Sequence, residues 1–219
     1  VFLFDLDCTL VDSADFICDS VNFALQQSMV PIADRRRLRS TLGLPLEQML
    51  EAVVPRAAMR KETIRRCIEN YREFYSRNHL ERIRLFPGTA ETLSNLRLKG
   101  FPLGVISSKP REPVEDLLRH LGVLQLFSVV VSGYEVANPK PSPDIVLEAA
   151  RRLGVDPKRC VVVGDSPRDV EAGRAAQAKT VAVLTGPFSR STLKRASPDF
   201  IIERISSLPS ILSHLTKSV

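Results

Sequence analysis

Val1-Phe2-Leu3-Phe4-Asp5-Leu6-Asp7-Cys8-Thr9 opens the chain. Its apolar start is too short for a helix and shows no polar alternation, so it reads as a strand buried on both faces. The run then gives way to carboxylates and small residues, the composition of a loop at a strand end. In an open parallel sheet that end is where ligands bind. One stretch therefore bears on both the fold and the site.

Working outward, similar apolar runs recur at Pro102-Leu103-Gly104-Val105-Ile106, Phe127 to Val131, Cys160 to Val163, Thr180 to Leu184 and Phe200-Ile201-Ile202. Helical patterns lie between several of them, at Ala90 to Lys99, Pro113 to Leu121 and Ile145 to Leu153. Gly100, Gly122 and Gly154 follow these helices, where a left-handed helix end favours glycine. Strands alternating with helices predict an α/β fold, a doubly wound, Rossmann-like parallel sheet with helices on both faces.

The stretch after Ser13 breaks this rhythm. Helical patterns run from Ala14 to Met29, Leu46 to Val53 and Ala57 to His79, with Ile64, Ile68, Tyr71 and Tyr75 on one face. Pro31, Gly43-Leu44-Pro45 and Pro55 punctuate them. The expected organisation is an α/β core formed by 1–12 and 85–219, with an all-helical insert at 13–84.

The chain has 219 residues, 44% hydrophobic and 26% charged, a soluble globular profile long enough to bury a core. Its formal net charge of +6 would attract an anionic partner. The only tight basic run is Arg35-Arg36-Arg37 with Arg39, which reads as a solvated helix face and not a nucleic-acid site. Cys8, Cys18, Cys67 and Cys160 form no CxxC pair, which argues against a zinc site or disulfide framework and for reduced thiols. No apolar run approaches the roughly 20 residues of a membrane span. Asp5 and Asp7 interrupt the only stretch that could resemble a signal peptide. A cytoplasmic protein without membrane or nucleic-acid partners is expected. The first residue is Val1 rather than Met, which leaves room for leading residues.

Polar residues follow the apolar runs in a consistent way. Asp5, Asp7 and Thr9 follow the first, Ser107-Ser108-Lys109 the second, and Gly164-Asp165-Ser166-Pro167-Arg168-Asp169 the run at Cys160. Asn138-Pro139-Lys140-Pro141 precedes the helix at Ile145. Each has an ordinary reading on its own. Asp5 and Asp7 suit a turn, Asp165 suits a helix N-cap, Ser107 and Ser108 suit a strand-end turn, and a lysine is usually solvated. Together they place clustered carboxylates, a cation on a proline-stiffened loop and hydroxyl donors at one rim. Adjacent carboxylates repel unless a cation compensates them, and Mg²⁺ takes oxygen ligands. Phosphoryl transfer needs this set: a metal and a lysine for phosphate charge, donors for its oxygens and an in-line nucleophile.

In this order the elements resemble the haloacid dehalogenase superfamily, whose motifs are DxDx[TV], a strand-end Ser or Thr, a Lys and GDxxxD. The resemblance spans Phe2 to about Leu212, and the insert matches the family's helical cap. The ending, Pro198 to Ile202 followed by Ser207-Leu208-Pro209, is similar to phosphoglycolate phosphatase-like members. The resemblance implies that Asp5 attacks phosphorus, and that Asp7 protonates the leaving oxygen and then activates water. It implies Mg²⁺ held by Asp5, the Asp7 backbone carbonyl and Asp165, with Asp169 in or near the shell. Ser107, Ser108 and the neighbouring backbone would bind phosphoryl oxygens, Lys140 would offset their charge, and Thr9 would steady the loop around Asp7.

Cys8 stands where the family usually has glycine. This implies either an ordinary loop conformation or mild strain, and it raises a redox-sensitive thiol as an alternative to a tolerated small residue. The acid at Asp7 disfavours dehalogenation and phosphonate hydrolysis. No histidine lies between Asp15 and Gln27, which disfavours a β-phosphoglucomutase-like mutase. The expected substrate is a small phosphorylated metabolite, 2-phosphoglycolate or a similar phosphomonoester, for a monomer or homodimer. Substrate choice should lie in the helical insert, where Leu42-Gly43-Leu44-Pro45 resembles a family loop and Arg39, Arg56 and Arg60 are candidate carboxylate contacts. Pyrophosphate, nucleoside monophosphates and a non-catalytic phospho-acceptor are the remaining readings.

Overall fold

In a computed structural model, which describes residues 1–216, the chain divides into two compact units, residues 1–12 with 84 onward, and Ser13–Ile83. The first unit holds β1 (Phe2–Phe4), β2 (Val11–Asp12), β3 (Arg84–Leu85), β4 (Leu103–Ser107), β5 (Val129–Ser132), β6 (Val161–Gly164), β7 (Lys179–Val183) and β8 (Phe200–Ile202). The helical unit holds α1 (Ala14–Gln27), α2 (Arg35–Arg39), α3 (Leu46–Val53) and α4 (Lys61–Arg82). Around the sheet lie α5 (Thr89–Leu98), α6 (Arg111–His120), α7 (Asp144–Leu153), α8 (Pro167–Ala175) and α9 (Arg190–Arg195).

The main sheet runs β5-β4-β1-β6-β7-β8, all parallel, as the alternating pattern predicts. Phe2, Leu3 and Phe4 are at most 1% exposed, which explains an unbroken apolar run in place of an alternating one. From β1 the chain goes to β4 and β5 on one side, then returns to build β6, β7 and β8 on the other. That reversal creates a switch point at the carboxyl end of β1, flanked by the ends of β4 and β6. Beside it, β2 and β3 pair antiparallel, with Val11 opposite Leu85 and Asp12 opposite Arg84. They bring together the two passages of chain that lead to the helical unit.

In the helical unit α1 packs on α4. Ile64, Cys67, Tyr71 and Tyr75 are buried at helical spacing on α4, and Ile68 lies at the margin of that stripe. Phe23 stacks on Phe74 with ring centroids 4.3 Å apart, and Phe16 meets Tyr75 at 5.3 Å. The basic run forms α2, where Asp34 caps the helix and Arg35 pairs with both Asp15 and Asp19. Arg39 pairs with Asp15 at 2.6 Å, so its guanidinium already has a carboxylate partner within the unit.

Boundaries differ from the sequence expectations at the ends. The long helix begins at Lys61, because Met59 and Arg60 take extended backbone after a short 3-10 turn at Arg56–Ala58. Gly100, Gly122 and Gly154 all have positive φ, as expected of their positions after helices. No helix among the described residues is long and apolar enough to cross a membrane.

Candidate active site

Asp5 follows β1, and its backbone N–H donates to the Val163 carbonyl, which ties the first motif to β6. Leu6 through Val11 then form a tight loop: Leu10 and Val11 both donate to the Leu6 carbonyl, and Cys8 donates to the Val11 carbonyl. Cys8 has φ +59°, the left-handed region in which a side chain is strained by roughly 1–2 kcal/mol. Of the two conformational expectations for Cys8, strain is the one observed. Its side chain is 2% exposed, and burial, with Asp165, Asp7 and Asp5 nearby, pushes its thiol well above the usual range. A reactive thiolate is therefore not what this setting produces, which corrects the redox alternative.

Lys140 converges on the same point from the loop before α7. Its ammonium donates to Asp5 Oδ1 at 2.8 Å, Asp169 Oδ1 at 2.6 Å and the Ile106 carbonyl at 2.9 Å. These contacts match the three donors of an ammonium, and the side chain is only 2% exposed. Asp144, at the start of α7, fixes the loop. It accepts from Asn138 N and Nδ2, each at 3.0 Å, and from Ser142 Oγ.

Asp165 and Asp169 come from the β6–α8 turn. The N-cap of α8 is Ser166, not Asp165, which corrects the ordinary reading of Asp165 as a cap. Ser166 and Asp169 form a capping box, in which Asp169 Oδ2 accepts from Ser166 N at 3.1 Å and Oγ at 2.6 Å. Asp165 is thereby left for the site, where Thr9 Oγ1 donates to its Oδ1 at 3.2 Å. Thr9 is fully buried, and its hydroxyl donates to this carboxylate from the loop that carries Asp7. A Cβ on Gly186 would overlap the Asp165 carboxylate, and one on Gly164 would overlap Asp169. Both glycines permit a close approach that no other residue allows.

Carboxylate oxygens of Asp5, Asp165 and Asp169 lie within 4.8 Å of one another. Burial raises the Asp5 carboxyl to about 7, with Lys140 opposing the rise and Asp169 and Asp7 adding to it. Burial, then Asp5 and Asp169, also raises Asp165. Burial disfavours the Lys140 ammonium, but Asp169 and Asp5 together outweigh it and hold the lysine above its ordinary value. With all three carboxylates ionised, as a bound cation would hold them, the one buried ammonium leaves a charge of −2. An all-oxygen, hard donor set with that deficit fits a divalent cation such as Mg²⁺.

Asp7 stands on the other side of Asp5. Its Oδ1 accepts from Lys109 Nζ at 2.7 Å, both side chains being mostly buried. Ser107 is 1% exposed, and its Oγ accepts from Lys109 N at 3.2 Å. Ser108 passes close to Gly133, whose Cβ would meet the Ser108 Cα at 3.3 Å. Asp5, Asp7, Thr9, Ser107, Ser108, Lys140, Asp165 and Asp169 thus gather at the carboxyl rim of β1, β4 and β6. Sequence reasoning gave no role to Lys109, Asp144, Ser166 or Gly186. Only Ser166 carried a local signal, the S-x-x-D spacing of a capping box.

The comparisons with known proteins converge on one family. The family model for haloacid dehalogenase-like hydrolases matches residues 2–183. A phosphoglycolate phosphatase of Escherichia coli is 34% identical and one of Shigella boydii 33%, each alignment covering 94% of this chain and 89% of the relative. A crystal structure of a predicted phosphoglycolate phosphatase from Haemophilus somnus superposes with a TM-score of 0.89 at 26% identity, covering 97% of each chain. The chain belongs to the haloacid dehalogenase-like hydrolase family, among its phosphoglycolate phosphatase-like phosphatases.

Proposed function

We propose that the protein is a Mg²⁺-dependent phosphomonoester hydrolase working through an aspartyl-phosphate on Asp5, with 2-phosphoglycolate or a similar small phosphomonoester as substrate. The observation that carries this reading is the buried cluster of Asp5, Asp165 and Asp169 around the single ammonium of Lys140, one divalent cation short of neutrality. The substrate class rests on the names of relatives that align over most of their length.

Asp5 and Asp165 would hold the metal, with the Asp7 backbone carbonyl. Asp169 would act one bond further out, because Lys140 and Ser166 already engage its two oxygens. Bound Mg²⁺ supplies neutralisation of phosphoryl charge. The Asp5 carboxylate bonds to phosphorus as the ester P–O bond breaks, and Asp7 gives its proton to the departing oxygen. Water then bonds to phosphorus, Asp7 takes its proton, and the bond to Asp5 breaks to return the carboxylate. Ser107, Ser108 and adjacent backbone N–H groups bind the phosphoryl oxygens, and Lys140 balances the charge on Asp5 throughout. Substrate selection would lie in the unit Ser13–Ile83, which matches the family's helical cap in sequence position and which the chain enters and leaves through β2 and β3.

Phosphate release from 2-phosphoglycolate, sugar phosphates, nucleoside monophosphates and pyrophosphate, with Mg²⁺ or EDTA, tests this reading. Wild type should turn over at least one ester only with metal, and Asp5→Asn should lose at least about a thousandfold. Equal turnover by Asp5→Asn rules out Asp5 as the nucleophile. The steepest kcat/KM names the substrate.

A further inference from the structure

The other carboxylates of the site have holders that the proposed chemistry explains. Asp5 and Asp169 share Lys140, Asp165 has Thr9, and Asp169 also has Ser166. Asp7 has Lys109. This lysine comes from neither the metal side nor the helical unit, but from the β4–α6 turn.

Its backbone is fixed at both polar groups. The Lys109 N–H donates to Ser107 Oγ at 3.2 Å, and the Lys109 carbonyl accepts from Ser132 Oγ at 2.6 Å. Ser132 is 1% exposed at the end of β5, with its own N–H donating to Glu135. Ser108 passes close to Gly133, just after β5. The side chain then runs to Asp7 with 17% exposure, unlike a lysine that extends into solvent. A salt bridge assembled from groups anchored on adjacent elements fixes geometry at little entropic cost, because the ordering is already done by the fold.

We propose that Lys109 is a positioning residue for Asp7, fixing the orientation of its carboxylate toward the leaving oxygen. This rests on the phosphatase reading given above. The two lysines divide the site. Lys140 sets charge on the nucleophile and metal side, and Lys109 sets the direction of the acid–base carboxylate. Without Lys109, Asp7 retains its chemistry but loses its aim. The loss falls on esters whose leaving oxygen needs a proton, not on binding.

Single-turnover rates for 2-phosphoglycolate and p-nitrophenyl phosphate, with excess protein and Mg²⁺, separate these effects. A nitrophenolate departs without a proton, whereas the glycolate alkoxide does not. Lys109→Met should slow release of glycolate about a hundredfold and release of nitrophenolate by less than about threefold, with KM little changed. Lys109→Arg, which keeps the cation, should recover at least about tenfold of the glycolate rate, and it tests the idea even if the methionine variant folds poorly. Equal slowing of both esters, no slowing, or failure of the arginine variant to recover more than methionine would overturn the inference. If wild type turns over neither ester above Asp5→Asn, the assignment of 2-phosphoglycolate as substrate fails, and the same comparison is made with the alkyl phosphate that the wild type does hydrolyse.

Discussion

Lys140→Met gives the most direct test of the charge count on which the metal assignment rests. Methionine keeps the length of the side chain and removes its charge, leaving Asp5 and Asp169 without their shared cation. At 2.6–2.8 Å, and with an effective dielectric of 20, each pair carries roughly 6 kcal/mol of gross attraction. Most of that offsets desolvation, and breaking buried pairs of this kind costs about 3–5 kcal/mol net. For a chain of this size each kcal/mol lowers Tm by about 2–4 °C, so the expected drop is about 6–20 °C. Thermal unfolding followed by circular dichroism in EDTA at about pH 8 would read it. At about pH 5 the drop should shrink, because Asp5, already raised to about 7, takes up a proton and removes part of the uncompensated charge. A variant that melts within about 2 °C of wild type in EDTA at the higher pH would refute the reasoning. The ammonium would then not be compensating these carboxylates, and the inferred deficit of two charges would have no basis.

Other consequences follow from the same geometry. In metal-free protein the Asp5 carboxyl lies at about 7 against 3.8 unfolded, so the folded state holds the extra proton between those values. Stability should therefore be greatest below about pH 4 for this group and fall by about 4 kcal/mol as pH rises through 7. Saturating Mg²⁺ should flatten that fall, and melting curves at pH 5 and 8 that show no such metal-dependent difference would contradict it. Gly186→Ala should weaken Mg²⁺ binding about tenfold or more in calorimetric titration, because a Cβ there displaces the Asp165 carboxylate; unchanged affinity would remove Asp165 from the metal site. Native protein should keep full activity under iodoacetamide at neutral pH, since the Cys8 thiol is buried and held protonated. Rapid alkylation at Cys8, detected by peptide mass, would show that the loop opens.

The sheet was legible because parallel strands buried on both faces leave short apolar runs bounded by turn residues, and the runs at β1, β4 and β6 end where site side chains begin. Asp5, Ser107 and Asp165 needed only that rule. The basic run at Arg35 to Arg39 was legible as a helix face, but its support was not: α2 depends on Asp34 as its cap and on pairs with Asp15 and Asp19. The same limit hid Lys109, whose partner Asp7 lies 102 positions away. Its neighbours Ser107 and Ser108 carried the motif, and a lysine beside them reads as solvated until the fold closes the distance. Thr9 was seen as a loop residue because Asp165 is 156 positions off. Gly186 had no signal at all, since its role is to leave space for a side chain from another strand. At Cys8 local rules and structure conflict beside the nucleophile: a side chain sits at φ +59°.

These long separations share a cause. The switch point requires β1 to be bordered by strands that the chain visits before and after a return, so residues at its rim come from distant segments. Each segment brings its own anchoring: the capping box for Asp169, the Asp144 clamp for the Lys140 loop, and the Ser132 contact for Lys109. The anchors are neutral or paired locally, and only their far ends carry charge into the centre. Backbone order is thus established independently of the charges that meet there, and the excess of negative charge at the centre can be left for a cation and a phosphate to resolve. Substitutions at the anchors should therefore disturb geometry while leaving the charge deficit, whereas substitutions at Lys140 change the deficit itself. Stability in EDTA should separate the two classes, Lys140→Met losing much more than Ser132→Ala.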